Sequence, residues 1–166
     1  MVSIREVSQH ADGRDCPPQP LATVAGLEFL QRLADRSYPA PPIAEATDIF
    51  IVEAEHGRAV FAATPSRRFY NPLGSVHGGW ISTLLDSAMG CAVHSVLGPG
   101  QAYTTVDLSV SFVRPVFDRT GMLKCEGKII HAGSRIATAE GRVWDTAGTL
   151  IAHGTATCLL KALQGA

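Results

Sequence analysis

At 166 residues, with 46% hydrophobic and 17% charged side chains, the chain has the size and apolar content of one globular domain. A formal net charge of −1 and the lack of any basic run argue against a nonspecific nucleic-acid binder. The four cysteines, Cys16, Cys91, Cys125 and Cys158, have no C-x-x-C or zinc-ligand spacing, so no metal site is expected.

Residues 1–20 are polar, proline-containing and without period, which reads as a tail ahead of a single domain over 21–162. No basic start followed by an apolar run and a cleavage site marks this segment as a leader, and a cytoplasmic setting is expected. From Leu21 to Arg36, Val24, Leu27, Leu30 and Leu33 recur at helical spacing and predict a short amphipathic helix. Pro39, Pro41 and Pro42 stop it. Thr47–Ala54 and Arg58–Thr64 are rich in Ile, Val and Phe around Glu55, His56 and Gly57, which predicts a hairpin. In the loop that follows, Arg67 and Arg68 read as solvated cations or as contacts to an anionic ligand.

The run Asn71–Leu97 opens as a loop and continues as one long helix whose single acidic or basic residue of fixed charge is Asp86. A carboxylate among Trp80, Ile81, Leu84, Leu85, Ala88 and Val93 is costly to desolvate unless something pairs or uses it. At about 100° per residue, Asp86 shares a face with Gly79, Ser82, Thr83, Met89, Gly90 and Val93, a small and partly polar surface suited to close contact. Trp80, Ile81, Leu84, Ala88 and Cys91 form the opposite, core face. Gly78 and Gly79 fall in the first turn, where backbone N–H groups lack intrahelical acceptors and an oxyanion would be stabilised. Gly78 and Asp86 are eight positions apart, about 12 Å along a helix, so both act on one carbonyl only if different subunits supply them.

Gly98, Pro99 and Gly100 break the helix, and a strictly alternating strand follows. Thr104, Val106, Leu108, Val110 and Phe112 form its inward set, which turns Thr105 outward. Three more strands are predicted near Gly121–His131, Arg135–Trp144 and Thr149–Leu160, as an antiparallel meander. One parity class there is small, with Ala137, Ala139 and Gly141, then Ala152, Gly154 and Ala156, which lets a bulky helix sink onto the sheet.

Asn71, His77, Gly78, Gly79 and Asp86 in this spacing, with TTVDLSVSFVRP over Thr104–Pro115 and the stretch GLEFLQRLADRSYPAPPIAE, resemble the PaaI-like acyl-CoA thioesterases of the hotdog fold. The resemblance covers roughly residues 25 to 160. It implies an α+β hotdog: a curved antiparallel sheet wrapped around one long central helix, with a short N-terminal helix beside it. It further implies hydrolysis of an acyl-CoA by a homodimer, with dimers pairing into a homotetramer, and no cofactor beyond the CoA of the substrate. Neither a membrane nor nucleic acid is an expected partner.

Under that resemblance, Asp86 of one subunit acts as general base or nucleophile while the Gly78 amide of the other polarises the thioester carbonyl. Asn71 and His77 orient thioester or water, and the Thr104 hydroxyl helps hold the attacking water. The acyl pocket is expected around Gly79, Trp80, Thr83 and Met89, and the CoA phosphates near Arg114, Lys128 and Arg135. A hotdog hydratase or dehydratase and a noncatalytic acyl-CoA binding module are the competing classes. A serine hydrolase is disfavoured by the absence of G-x-S-x-G.

Overall fold

The computed structural model describes residues 23–163; the polar tail over 1–20 lies outside the described residues. Two helices precede the first strand: α1, Gly26–Ala34, and α2, Pro42–Thr47. The expected proline stop after α1 is therefore also a start, because Pro42 sits at the first position of α2, where its missing N–H costs nothing. The hairpin β1, Ile49–Glu55, and β2, Arg58–Ala63, follows. Gly57 takes the left-handed conformation its turn requires (φ 78°).

The central helix α3 spans Gly78–His94. Four strands complete the chain: β3, Gln101–Phe112; β4, Leu123–Ala132; β5, Ile136–Trp144; and β6, Leu150–Ala162. They join β1 and β2 in one six-stranded antiparallel sheet of order β1-β2-β4-β5-β6-β3. The meander β4-β5-β6 is as predicted, and β3 crosses to the far edge beside β6. This sheet curves around α3, the arrangement expected of a hotdog.

Helix α3 sits on the sheet through its Ile81, Leu84, Leu85, Ala88, Met89, Ala92 and Val93 face, all buried. The small strand residues permit the approach. Ala137, Ala139, Ala152 and Ala156 are at most 2% exposed, and a Cβ at Gly141 would meet Met89 Cγ at 2.9 Å. At Gly127, unremarked in the sequence, a Cβ would lie 2.2 Å from the Ala88 carbonyl oxygen, so the helix backbone rests directly on β4. Gly154 serves a different contact, its missing Cβ making room for the Ser109 carbonyl of the neighbouring β3.

The N-terminal helices are fastened to α3 and to the turn that follows it, at one point each. Gly26 donates its N–H to the Leu97 carbonyl at 2.9 Å, and the Trp80 indole N–H donates to the Thr47 carbonyl at 2.7 Å. Arg67 and Arg68, considered for an anion, are taken by Asp118 and Asp48, each at 2.9 Å, and secure the loop before α3. Among the described residues no helix is long and apolar enough to cross a membrane.

Candidate active site

Asp86 lies midway along α3, half-buried. Its Oδ1 accepts a hydrogen bond from the Thr105 hydroxyl at 2.9 Å. Thr105, not Thr104, thus faces the carboxylate, and the inward parity predicted for Thr104 is corrected. The cause is a β-bulge: Thr105 pairs with Cys158 and Asp107 with Thr157, which leaves Val106 as an extra residue. Before the bulge Tyr103 and Thr105 turn toward the helix; after it Val110 and Phe112 do so. Thr104 is exposed, and Val106, expected inside, is 57% exposed.

Asp86 opens into a cleft of about 220 Å3 between α3 and the α1–α2 segment. Leu33, Ile43, Ala44 and Ile51 line it from the N-terminal side, and Asp86, Cys91 and Tyr103 from the helix and sheet. Asp86 is the one acidic residue among its walls and Arg36, whose guanidinium lies 4.6 Å from the Phe50 ring centre, the one base. Burial, with the Asp86 charge adding to it, pushes the Cys91 thiol up to about 12, so it is a thiol and not a thiolate nucleophile. Burial first, then its neighbours Cys91 and Asp86, raises the Tyr103 phenol well above its ordinary range and keeps it a hydrogen-bond donor.

A second cavity of about 220 Å3 adjoins the first along Leu33, Pro41, Cys91 and Tyr103 and is closed by Phe29 and His94. His94 is 6% exposed, and neither of its ring nitrogens has a hydrogen-bond partner. An unpaired buried polar group costs about 1–3 kcal/mol. Burial holds the His94 pKa below its ordinary 6.5, which leaves the ring neutral with one donor and one acceptor unused.

The other end of α3 is built differently. His77 is the N-cap, and its Nδ1 accepts the Gly79 N–H at 2.8 Å. Accepting there fixes the imidazole proton on Nε2. The Gly78 N–H has no hydrogen-bond acceptor among the described residues, and it borders a separate cleft of about 300 Å3 with Phe112, Arg114 and Val116. The helix thus presents an open, dipole-favoured donor at its start and a carboxylate in its middle, in two different clefts.

Other expected site residues have separate duties. The Asn71 side chain is spent on its own loop, its Oδ1 accepting from the Leu73 and Ser75 amides at 2.9 and 3.3 Å and its Nδ2 donating to Ser75 Oγ at 3.1 Å. Trp80 is 6% exposed and stacks on Phe69 with ring centres 5.2 Å apart, an anchor rather than a pocket wall. Thr83 donates its hydroxyl to the Gly79 carbonyl at 2.9 Å. Met89 is corrected from pocket to core: at 0% exposed it fills the space over Gly141. The sheet curves around the helix, and the Met89 end of the expected contact face is covered by β5.

The cationic residues divide in the same way. Arg114 is exposed in the Gly78 cleft. Lys128 is corrected to the outer face of the sheet, because its neighbour Gly127 abuts the helix and strand parity turns Lys128 away, where it pairs with Glu126 at 2.8 Å. Arg135 is exposed in the turn before β5, and its carbonyl accepts the Leu160 N–H at 2.8 Å. Sequence reasoning missed Tyr103, Ser87, Cys91 and the whole α1–α2 wall of the Asp86 cleft. The one available signal was the apolar face of the N-terminal helix.

An antiparallel sheet wrapped around α3, with a carboxylate in the helix and an open amide at its start, is the hotdog arrangement. The thioesterase superfamily profile matches residues 73–152. A crystallised member of the thioesterase superfamily is 31% identical, with a TM-score of 0.68 over 83% of this chain and 100% of that one. The chain belongs to the thioesterase superfamily. A Halobacterium salinarum protein provisionally described as an esterase is 39% identical over 84 residues, 49% of this chain and 54% of that protein. The chain thus spans about half the length of that relative. Escherichia coli PaaI, from the phenylacetic acid degradation operon, shares the fold at 23% identity and a TM-score of 0.70 over 80% of this chain and 94% of its own. So does smu.793 of Streptococcus mutans, solved with acetyl-CoA bound, at 22% identity and a TM-score of 0.63 over 69% of this chain and 90% of its own.

Proposed function

We propose that this protein hydrolyses acyl-CoA thioesters at a site shared between two copies of the chain. The observation that carries this reading is the Thr105 hydroxyl on Asp86 Oδ1, which fixes the carboxylate and leaves Oδ2 free to take a proton from water. Water oxygen then attacks the thioester carbonyl carbon as Asp86 accepts its proton. The oxyanion that forms is received by the Gly78 N–H of the second copy. When the intermediate collapses, the carbon–sulfur bond breaks, and the proton held by Asp86 passes to the departing CoA sulfur. The acid is released with CoA, and no further cofactor is required.

Two copies are needed because Gly78 and Asp86 open into different clefts of one chain. An antiparallel pairing of two α3 helices about a twofold axis brings each Gly78 to the other copy's Asp86. The edge strand β3 suits such an interface: Val106, Phe112 and Val113 are 57%, 53% and 48% exposed in the single chain. Arg114 beside Gly78 places a cation where the CoA phosphates would approach. The acetyl-CoA held by the Streptococcus mutans relative supports CoA as the carrier.

The test is thiol release from a panel of aryl, short, medium and long acyl-CoAs, with Asp86→Ala beside the wild type. Loss of a general base predicts a rate fall of about 10² to 10⁴. Water addition to an enoyl-CoA without thiol release would replace this reading with a hydratase. Activity of Asp86→Ala within a few-fold of wild type would remove the carboxylate from the chemistry.

A further inference from the structure

The cavity behind Asp86 has an unusual end. Its walls are apolar along Leu33, Ile43, Ala44 and Ile51, yet past Cys91 it meets two groups with hydrogen-bonding capacity to spare. His94 has both ring nitrogens unpaired while almost wholly buried, its ring set edge-on to Phe29 at 5.9 Å and tilted to Tyr103 at 5.9 Å. The Tyr103 hydroxyl makes no hydrogen bond among the described residues and lies over Gly90, where any Cβ would collide with it at 2.4 Å. A plain hydrocarbon pocket needs neither group, and the glycine is what lets the phenol reach the helix.

We infer that His94 and Tyr103 determine acyl specificity by receiving an oxygen atom at the far end of the acyl group, inside a pocket that each chain builds for itself beneath α1 and α2. The inference rests on the thioesterase reading for what enters the pocket, and adds which acyl groups do. Neutral His94 offers one donor and one acceptor, and Tyr103 a donor, so a hydroxyl is matched as both acceptor and donor. A carboxylate is not the expected group, since no cation lines the second cavity, and in the first Arg36 lies over the Phe50 ring and shares the walls with Asp86.

The helix sets the length. Asp86 and His94 are eight residues apart, about 12 Å along the axis. The attacking water and the terminal hydrogen bond take up part of that distance, so the acyl group between carbonyl carbon and terminal oxygen is a short chain.

The experiment compares kcat/KM for hexanoyl-CoA and 6-hydroxyhexanoyl-CoA on wild type, His94→Phe, Tyr103→Phe and, as a control on the outer face, Lys128→Ala. Wild type and Lys128→Ala are expected to favour the hydroxylated thioester by at least about 10-fold. In His94→Phe and Tyr103→Phe that ratio is expected to collapse toward unity or invert, whatever the absolute rates. Equal turnover of the two thioesters by wild type, or an unchanged ratio in both pocket variants, overturns the inference and leaves the thioesterase reading standing. If wild type hydrolyses neither of these nor any acyl-CoA of the wider panel, the thioesterase reading falls instead, and the pocket is judged by binding of the same two thioesters. At least about 10-fold tighter binding of 6-hydroxyhexanoyl-CoA, lost in His94→Phe, then supports it, and equal binding overturns it.

Discussion

Thr105 on β3 and Asp86 on α3 are joined by a hydrogen bond of 2.9 Å that exists because one extra residue, Val106, reverses the strand's parity. A hydrogen bond to a charged group is worth about 1.5–3 kcal/mol, or roughly 10- to 100-fold in rate. Thr105→Val should lower kcat for thioester hydrolysis by that factor with KM within about twofold. Thr104→Val, one residue away on the exposed side, should leave both unchanged. Steady-state thiol release on the two variants checks the pair, and equal effects would remove Thr105 from its positioning role.

The open amide of Gly78 can be deleted by proline with a small shift of the Phe112 ring, whose Cζ would lie 3.0 Å from the added Cβ. Proline is favoured at the first helical position, and His77 already has the extended backbone that a residue before proline prefers (φ −64°, ψ 134°). Gly78→Pro should cost about 10² to 10³ in kcat, the scale of one oxyanion donor. Mixing Gly78→Pro with Asp86→Ala chains should restore about a quarter of wild-type activity, since half the dimers are mixed and one of their two sites is intact. No recovery on subunit exchange would mean that both residues act within one chain.

Arg114 and Lys128 make opposite predictions from opposite faces of the molecule. Arg114→Ala should raise KM for a CoA thioester by roughly 3- to 10-fold, an effect that shrinks with added salt. Lys128→Ala should leave KM unchanged, because Lys128 pairs with Glu126 on the far side of the sheet. KM at low and high ionic strength separates them.

Stability should fall on the acid side because of His94. Its folded pKa is held below 6.5 by burial, so the unfolded chain binds the proton first. The contribution of the neutral ring is fully present above about pH 6.5 and is lost progressively as pH falls below that value toward the folded pKa. Denaturant midpoints of wild type and His94→Phe between pH 7.5 and 5 test this: the variant should lose part of the acid slope. Identical slopes would show that other groups carry it.

Gly127→Ala should destabilise the fold. The added Cβ would sit 2.2 Å from the Ala88 carbonyl oxygen, a backbone contact that relaxes only by lifting α3 from β4. Overpacking of this kind costs about 1–3 kcal/mol, which corresponds to a drop in Tm of roughly 2–12 °C for a chain of this size. Calorimetry on the variant reads it directly.

The helix α3, the hairpin and the later strands were legible because each carries an unbroken period and ends at glycine, proline or a polar turn. Asp86 and Gly78 were legible because a lone charge in an apolar helix and a glycine pair at its start are local facts. Thr104 was misassigned because alternation presumes a register without bulges, and a bulge is set by the partner strand β6, far along the chain. Met89 was misassigned because a helical wheel sorts residues by angle and cannot show how far a curved sheet wraps around them. The α1–α2 wall was hidden for a related reason: a short amphipathic helix declares an apolar face without declaring what it covers.

The stretch that roofs the Asp86 cleft comes before the first strand, with Thr47 bonded to Trp80 of the central helix and Gly26 bonded to Leu97 just past its end. Under the proposed function, acyl preference can therefore be rewritten by trading some twenty residues ahead of the first strand, while Asp86, Gly78 and the sheet stay as they are. Selectivity and chemistry are separately heritable in such a layout, and grafting that front segment between homologues is a practical route to new preferences.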